Sequence, residues 1–256
     1  MSWNAGQVGG RIDPALPRSA RRLPPSRVSG SRKPGALPSP VVPAEPDPQQ
    51  LLTALTTEHF TLQGARSQTV SESASRASLY LFSVSSTLVA LGFLGQISEV
   101  GDTFKVFALI VLPTLYVLGL FTFVRLVQSV AEDFQYGRAI NRIRHHYLEL
   151  AGDKARLFMM SGHDDAIGVL TNMGITRSTW QAYFTTPSMV AVINSVVGGS
   201  AVAIAVGAIA DPPLGVAAAI GGLVAVISIA AMRRFETRYL RAGVGELEVL
   251  FPTPKA

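Results

Sequence analysis

Four stretches of the chain carry no charged side chain: Ala77 to Ser98, Val106 to Val124, Ser178 to Ala210 and Pro212 to Met232. Each is long enough to cross a bilayer, since about 20 residues at a rise of 1.5 Å cover the roughly 30 Å hydrocarbon core. The apolar positions run on continuously instead of alternating. Because a bilayer interior accepts only helices or closed barrels, helices are predicted, with spans near 78–98, 106–126, 189–210 and 213–232. Short connections, the second of them Asp211-Pro212-Pro213, pair the spans as two hairpins.

Outside these runs the pattern becomes periodic. Leu51, Leu55, Leu62, Ala65 and Val70 approximate a helical stripe leading into the first span. Leu126, Val130, Phe134, Ile140, Ile143 and Tyr147 continue the second span as an amphipathic helix to about Leu150, with Arg138, Arg142 and Arg144 between them and Gly152 as its stop. The two extensions leave the membrane on the same side and are expected to pair as a stalk. Ser161-x-x-Asp164 has the form of a capping box ahead of a short helix through Ile167, Val169 and Leu170. Trp180, Tyr183 and Phe184 suit a headgroup interface, and Thr186-Pro187 suits an N-cap and first helical position for span three. Arg233 and Arg234 open a basic face, continued by Arg238 and Arg241, where the fourth span ends.

Residues 1–50 break both patterns. They hold ten of the 16 prolines and seven basic residues against three acids, so no core can offset the ordering entropy and a disordered tail is expected. Its basic stretch, Arg11 to Lys33, is either a solvated tail or attracted to anionic headgroups. The chain thus divides into that tail, a first hairpin with its stalk over 51–150, a linker and interfacial helix over 151–188, a second hairpin over 189–232 and a basic tail over 233–256. The fold class expected is an all-α membrane protein with four transmembrane helices.

Composition agrees: only 15% of residues are charged, against roughly 25% in soluble domains, and mean hydropathy is +0.33. Of the 22 Lys and Arg, only Lys105 lies in the two short connections. The positive-inside rule therefore places both termini and the middle segment in the cytoplasm.

The chemistry of catalysis is thinly represented. With no Cys there is no disulfide, thiolate metal site or cysteine nucleophile. His145, His146 and Glu149 are the most ligand-like group but lack further ligands at a recognised spacing, and His163-Asp164-Asp165 lacks the other histidines of a metal phosphohydrolase. No phosphate-binding glycine loop or nucleophile elbow occurs. Neither an enzyme nor a cofactor, metal or nucleic-acid partner is expected. The four uncharged runs contain no Asp, Glu, Lys, Arg or His; Gln96 and Asn194 are their most polar members and are read as interhelical hydrogen-bonding groups, with pore lining as the alternative.

Small residues recur every four positions, as Gly199, Ala203 and Gly207 in span three and Ala217, Gly221 and Ala225 in span four. Such stripes let two backbones approach closely, either within the hairpin or between copies of the chain. Near the end, Leu247-Glu248-Val249-Leu250-Phe251 is similar to a viral protease cleavage sequence, but Pro252 stands where glutamine is required, so the segment is read as native.

Two patches carry a resemblance. Thr57-Glu58-His59-Phe60-Thr61-Leu62-Gln63 with Arg76-Ala77-Ser78-Leu79-Tyr80-Leu81, and Phe123-Val124-Arg125-Leu126-Val127-Gln128 through Ala139-Ile140-Asn141-Arg142-Ile143-Arg144, resemble an uncharacterised family of bacterial integral membrane proteins over roughly residues 51–240. The resemblance implies a membrane location and no known reaction, and the location expected is a bacterial cytoplasmic membrane. By layout the chain is also similar to the two-span membrane effector domains of bacterial defence systems. The expected function is a non-enzymatic membrane scaffold or signalling component, with the lipid bilayer as its surroundings and a cytoplasmic protein as partner on residues 126–150. The alternative is a pore or membrane-disrupting effector formed by a homo-oligomer.

Overall fold

The computed structural model describes residues 47–97, 101–175, 185–245 and 248–254. These form α1 (Pro48–Ile97), α2 (Asp102–Ala151), a 3-10 segment (Gly152–Leu157), α3 (Ala166–Asn172), α4 (Thr186–Ala210) and α5 (Leu214–Gly245). Among the described residues there is no strand, and α1, α2, α4 and α5 are each long and apolar enough to cross a membrane. Residues 1–46, including nearly all of the expected tail, lie outside the described residues, as do Trp180, Tyr183 and Phe184.

Helix α1 takes in the last three residues of the stretch assigned to the tail. Pro48 needs no donor in the first turn, and Asp47 accepts from the N–H groups of Gln49 (3.3 Å) and Leu51 (2.9 Å). Helix α2 passes through Pro113 and stops where Gly152 takes φ +49°, a conformation costly for other residues. Helix α4 is capped one residue earlier than expected: Thr185, not Thr186, accepts from the Ser188 N–H. The capping box also differs. Asp165 caps α3 by accepting from Gly168 N at 2.8 Å, while Asp164 is turned elsewhere and Ser161 accepts from the N–H of His163.

The four long helices form a chain of antiparallel neighbours: α1 packs on α2, α2 on α4, and α4 on α5, with a lighter contact between α2 and α5. Both short connections therefore fall at one end of the bundle, and the polar extensions of α1 and α2 at the other. The extensions pair along their length. Arg66 binds Asp133 at 2.7 Å, Arg125 lies 3.8 Å from Glu72, and Tyr147 donates to Thr56 at 3.3 Å beside the His59 ring. Of the apolar stripe expected on α1, Val70 faces outward and Thr69 takes the buried position; on α2, Val130 is exposed, whereas Leu126, Phe134, Ile140 and Ile143 are buried.

Within the apolar segments, α4 meets its two neighbours through adjacent glycines. One helical residue turns the face by about 100°, so Gly198 and Gly199 address different partners. Gly198 lies under the ring of Tyr116 on α2, while Gly199 lies against α5, where a Cβ would stand 2.5 Å from the Gly221 carbonyl oxygen. One turn nearer the α4 start, Asn194 accepts from Tyr80 of α1 at 3.0 Å, both fully buried, and Gly119 of α2 leaves the room both occupy. Three helices thus converge on one hydrogen bond, which in lipid contributes on the order of 1 kcal/mol. Ser228 completes a second polar contact with Ser195 (3.0 Å) and Tyr116 (3.1 Å).

Candidate functional site

The basic tail expected after Met232 has two parts. Helix α5 carries on to Gly245, and residues 248–254 then cross α2 and α3 without regular secondary structure, bending at Leu250 and Phe251. That docked segment defines the most elaborate polar site among the described residues.

Its floor is the stalk half of α2. Gly137 leaves space for Val169, which seats α3 on α2, and Gly162 lets the preceding loop cross directly over His145. A lattice of amides then fixes the loop. Asn141 donates to the His163 carbonyl at 2.7 Å, Asn172 donates to Asn141 and to the Ser161 carbonyl at 2.9 Å each, and the Ser161 N–H returns a bond to Asn172 at 2.8 Å. With its donors and acceptors satisfied, this lattice holds the two aspartates that follow in fixed positions.

Asp164 has no exposed surface. One of its oxygens accepts from Arg142 Nε (2.7 Å) and Leu250 N (3.1 Å), the other from Phe251 N (2.8 Å), and its own N–H donates to the Phe251 carbonyl at 3.1 Å. Asp165 binds Thr253 twice, through the backbone N–H at 3.0 Å and the hydroxyl at 2.7 Å. Arg138 and Arg142 both donate to the Glu248 carbonyl. The Phe251 ring stacks on His145 with centroids 3.7 Å apart and planes 18° from parallel. The side chains of Val249 and Leu250 point outward.

Electrostatics favour the charged form of both aspartates. Burial raises the Asp164 carboxyl, but the Arg142 hydrogen bond and the N–H groups of Phe251 and Leu250 more than offset it, leaving the group below its ordinary 3.8. Asp165 is lowered likewise: burial opposes the shift, and the bonds from Gly168 and Thr253 outweigh it. Most of the contacts reach main-chain groups of residues 248–253, with the Phe251 ring and the Thr253 hydroxyl engaged in addition.

The residues singled out from the sequence fall in three places. Gly199, Ala203, Gly221 and Ala225 meet at the α4–α5 crossing; Ala217 is buried on α5, and Gly207 has nothing within 4 Å of where a Cβ would stand. Arg233 and Arg234 separate: Arg233 turns inward to Glu236 (2.7 Å) and Ser188 (2.6 Å), whereas Arg234 is exposed. His145 and His146 stand 3.6 and 3.8 Å from Glu149, and among the described residues no three His, Asp or Glu side chains converge as a ligand set. Gln96 is exposed.

The docked segment itself was not anticipated. The signals present were the Asp164-Asp165 pair, whose first member is too many for one cap, and Pro252 and Pro254, which favour an extended course. No family model, no curated protein and no solved structure matches the chain.

Proposed function

We propose that the chain is a non-enzymatic scaffold or signalling component of a bacterial cytoplasmic membrane, which presents a peptide-docking platform on the cytoplasmic side. The observation that carries this reading is the mode of docking. Asp164, Asp165, Arg138 and Arg142 engage chiefly backbone groups of residues 248–253, leaving the neighbouring Val249 and Leu250 side chains exposed, so the platform suits a partner's peptide that follows the same backbone course as well as the chain's own. The segment and the platform belong to one polypeptide, which makes self-occupancy the resting state and partner binding a competition. The small residues at the α4–α5 crossing are engaged within the chain, which favours this reading over a pore built on that stripe.

A chain ending at Gly245 is expected to bind a synthetic peptide of residues 246–256 saturably in detergent. The Phe251→Ala peptide should bind about tenfold more weakly, because it loses the ring stacking on His145. The intact chain, already occupied, should bind either peptide far less. Absence of saturable binding to the shortened chain would sink the platform.

Orientation is tested separately. Lys and Arg crowd the stalk end of the bundle, and the two short connections at the other end carry Asp102 and Asp211. Single cysteines at Ser161 or Thr253 should resist an impermeant thiol reagent in intact cells, and a cysteine at Asp102 should react. Labelling at Ser161 without lysis contradicts the four-span topology.

A further inference from the structure

The bundle is not closed evenly. Helices α2 and α5 run parallel with only a light contact, and the residues of α4 facing the gap between them are mostly small: Gly198, Ala201 and Ala205, beside Val202. The result is an open furrow. Its first section, about 280 Å³, lies between Pro113 and Tyr116 of α2 and Val224 of α5; the next, about 260 Å³, continues past Phe123 to Ala231 and Phe235. Beyond that, a shallow recess of about 460 Å³ lies on α5 alone, between Ala231 and Phe235 at one end and Arg234, Arg238 and Tyr239 at the other. Tyr116 and Ser228 bond to each other at 3.1 Å, so the hydroxyls of the first two sections are already partnered and the rest of their lining is apolar.

Length and charge identify the occupant. From Val224 to Arg238 the furrow follows α5 for about 20 Å at 1.5 Å per residue, somewhat more than the roughly 15 Å of one leaflet's hydrocarbon. At its polar end Arg234 and Arg238 are exposed one turn apart, with Arg241 a further turn along the same face. None of the three makes an ion pair among the described residues, in contrast to Arg233, which Glu236 neutralises. An apolar slot ending in uncompensated guanidinium groups at headgroup depth complements a chain-bearing phosphate, and guanidinium groups bind phosphate bidentately.

We propose that the furrow between α2 and α5 is a binding site for one anionic phospholipid of the cytoplasmic leaflet, with an acyl chain along Tyr116, Phe123 and Ala231 and the phosphate on Arg234 and Arg238. The proposal rests on membrane embedding of the four helices and not on the peptide platform.

The test uses the full chain, purified and delipidated, then titrated with phosphatidylglycerol or phosphatidylcholine while retention is read by native mass spectrometry. Phosphatidylglycerol is expected to be retained as a single molecule in preference to phosphatidylcholine. R234Q/R238Q should weaken its retention about thirtyfold, at about one decade and a half for two headgroup contacts. K154Q/R156Q removes the same net charge from an exposed pair on the 3-10 segment and should change nothing. Glycerol 3-phosphate, which has the headgroup phosphate without the chains, should not displace the lipid at equal concentration. D164A should retain lipid normally, which separates failure of this site from failure of the platform. Equal retention of the two lipids, or equal losses in the two double variants, would overturn the proposal.

Discussion

Replacing Asp164 with Ala should free the C-terminal segment while leaving the four long helices in place. The substitution removes the acceptor of Arg142 Nε and of the Leu250 and Phe251 N–H groups at once. Breaking a buried charge pair costs about 3 to 5 kcal/mol when the survivor stays buried. Arg142 retains about a third of its surface and can rehydrate, which brings the expected loss to about 2 to 3 kcal/mol. The loss should be local. Amide hydrogen exchange at Leu250 and Phe251 should accelerate by roughly two decades, with the four long helices unchanged. Asp164→Asn keeps the shape and one acceptor but not the charge, and should fall between Ala and the parent. Unchanged protection of these two amides in the Ala variant would mean that the segment is held by something other than the carboxylate.

The same contact has a defined pH dependence. Asp164 and Asp165 are both held below their ordinary 3.8 in the folded chain, so each contributes stability above that value and loses it as pH falls below it. Docking should therefore be constant between about pH 5 and 8 and fail only in stronger acid. Release near neutral pH would point to a different titrating group.

Gly199→Leu and Gly221→Leu should be the most damaging changes in the apolar segments. At each position the obstacle to a side chain is the facing helix's carbonyl oxygen, 2.5 Å from the Cβ position, with Ala225 or Ala203 next to it. A backbone cannot swing aside as a side-chain tip can, so the cost belongs at the upper end of the overpacking range, about 3 kcal/mol. Gly207→Leu meets open space and should alter the stability of the single chain by less than about 0.5 kcal/mol. The pair distinguishes two uses of one stripe. Thermal unfolding in detergent should fall for the first two variants and stay level for the third. If Gly207→Leu instead dissociates an oligomer, the outer half of the stripe joins protomers, and the pore alternative gains the support it now lacks.

The four long apolar helices were legible because each is a local property: an uninterrupted apolar run of that length is suited to a helix whatever its neighbours are. The stalk was legible in part: the apolar stripe of 126–150 marked its buried seam, but the polar face holding Arg138 and Asn141 is buried as well, because α3 and residues 248–254 cover it. On α1 the stripe was less reliable, and Thr69 displaced Val70, because a two-helix contact buries a narrow seam that a hydroxyl can occupy. The stop at Gly152 was legible because a positive φ favours one residue type.

Which face of each span meets which neighbour was not legible, for a physical reason. Lipid is as apolar as leucine, so no solvent penalty segregates the residues around a membrane helix, and the division of labour between Gly198 and Gly199 leaves no periodic trace. Nor does a side-chain pattern foretell that Tyr80, Gly119 and Asn194 converge, since the only requirement at Gly119 is the absence of a Cβ. The docked C-terminal segment lies furthest from sequence reasoning. Asp164 and Phe251 are 87 positions apart, and what the carboxylates recognise is main-chain N–H, which almost every residue possesses. The chain's local chemistry determines its four helices and where they end; the tertiary structure alone decides that its last residues fold back onto the stalk, because backbone-directed hydrogen bonds between distant segments depend on position in space and carry no residue code.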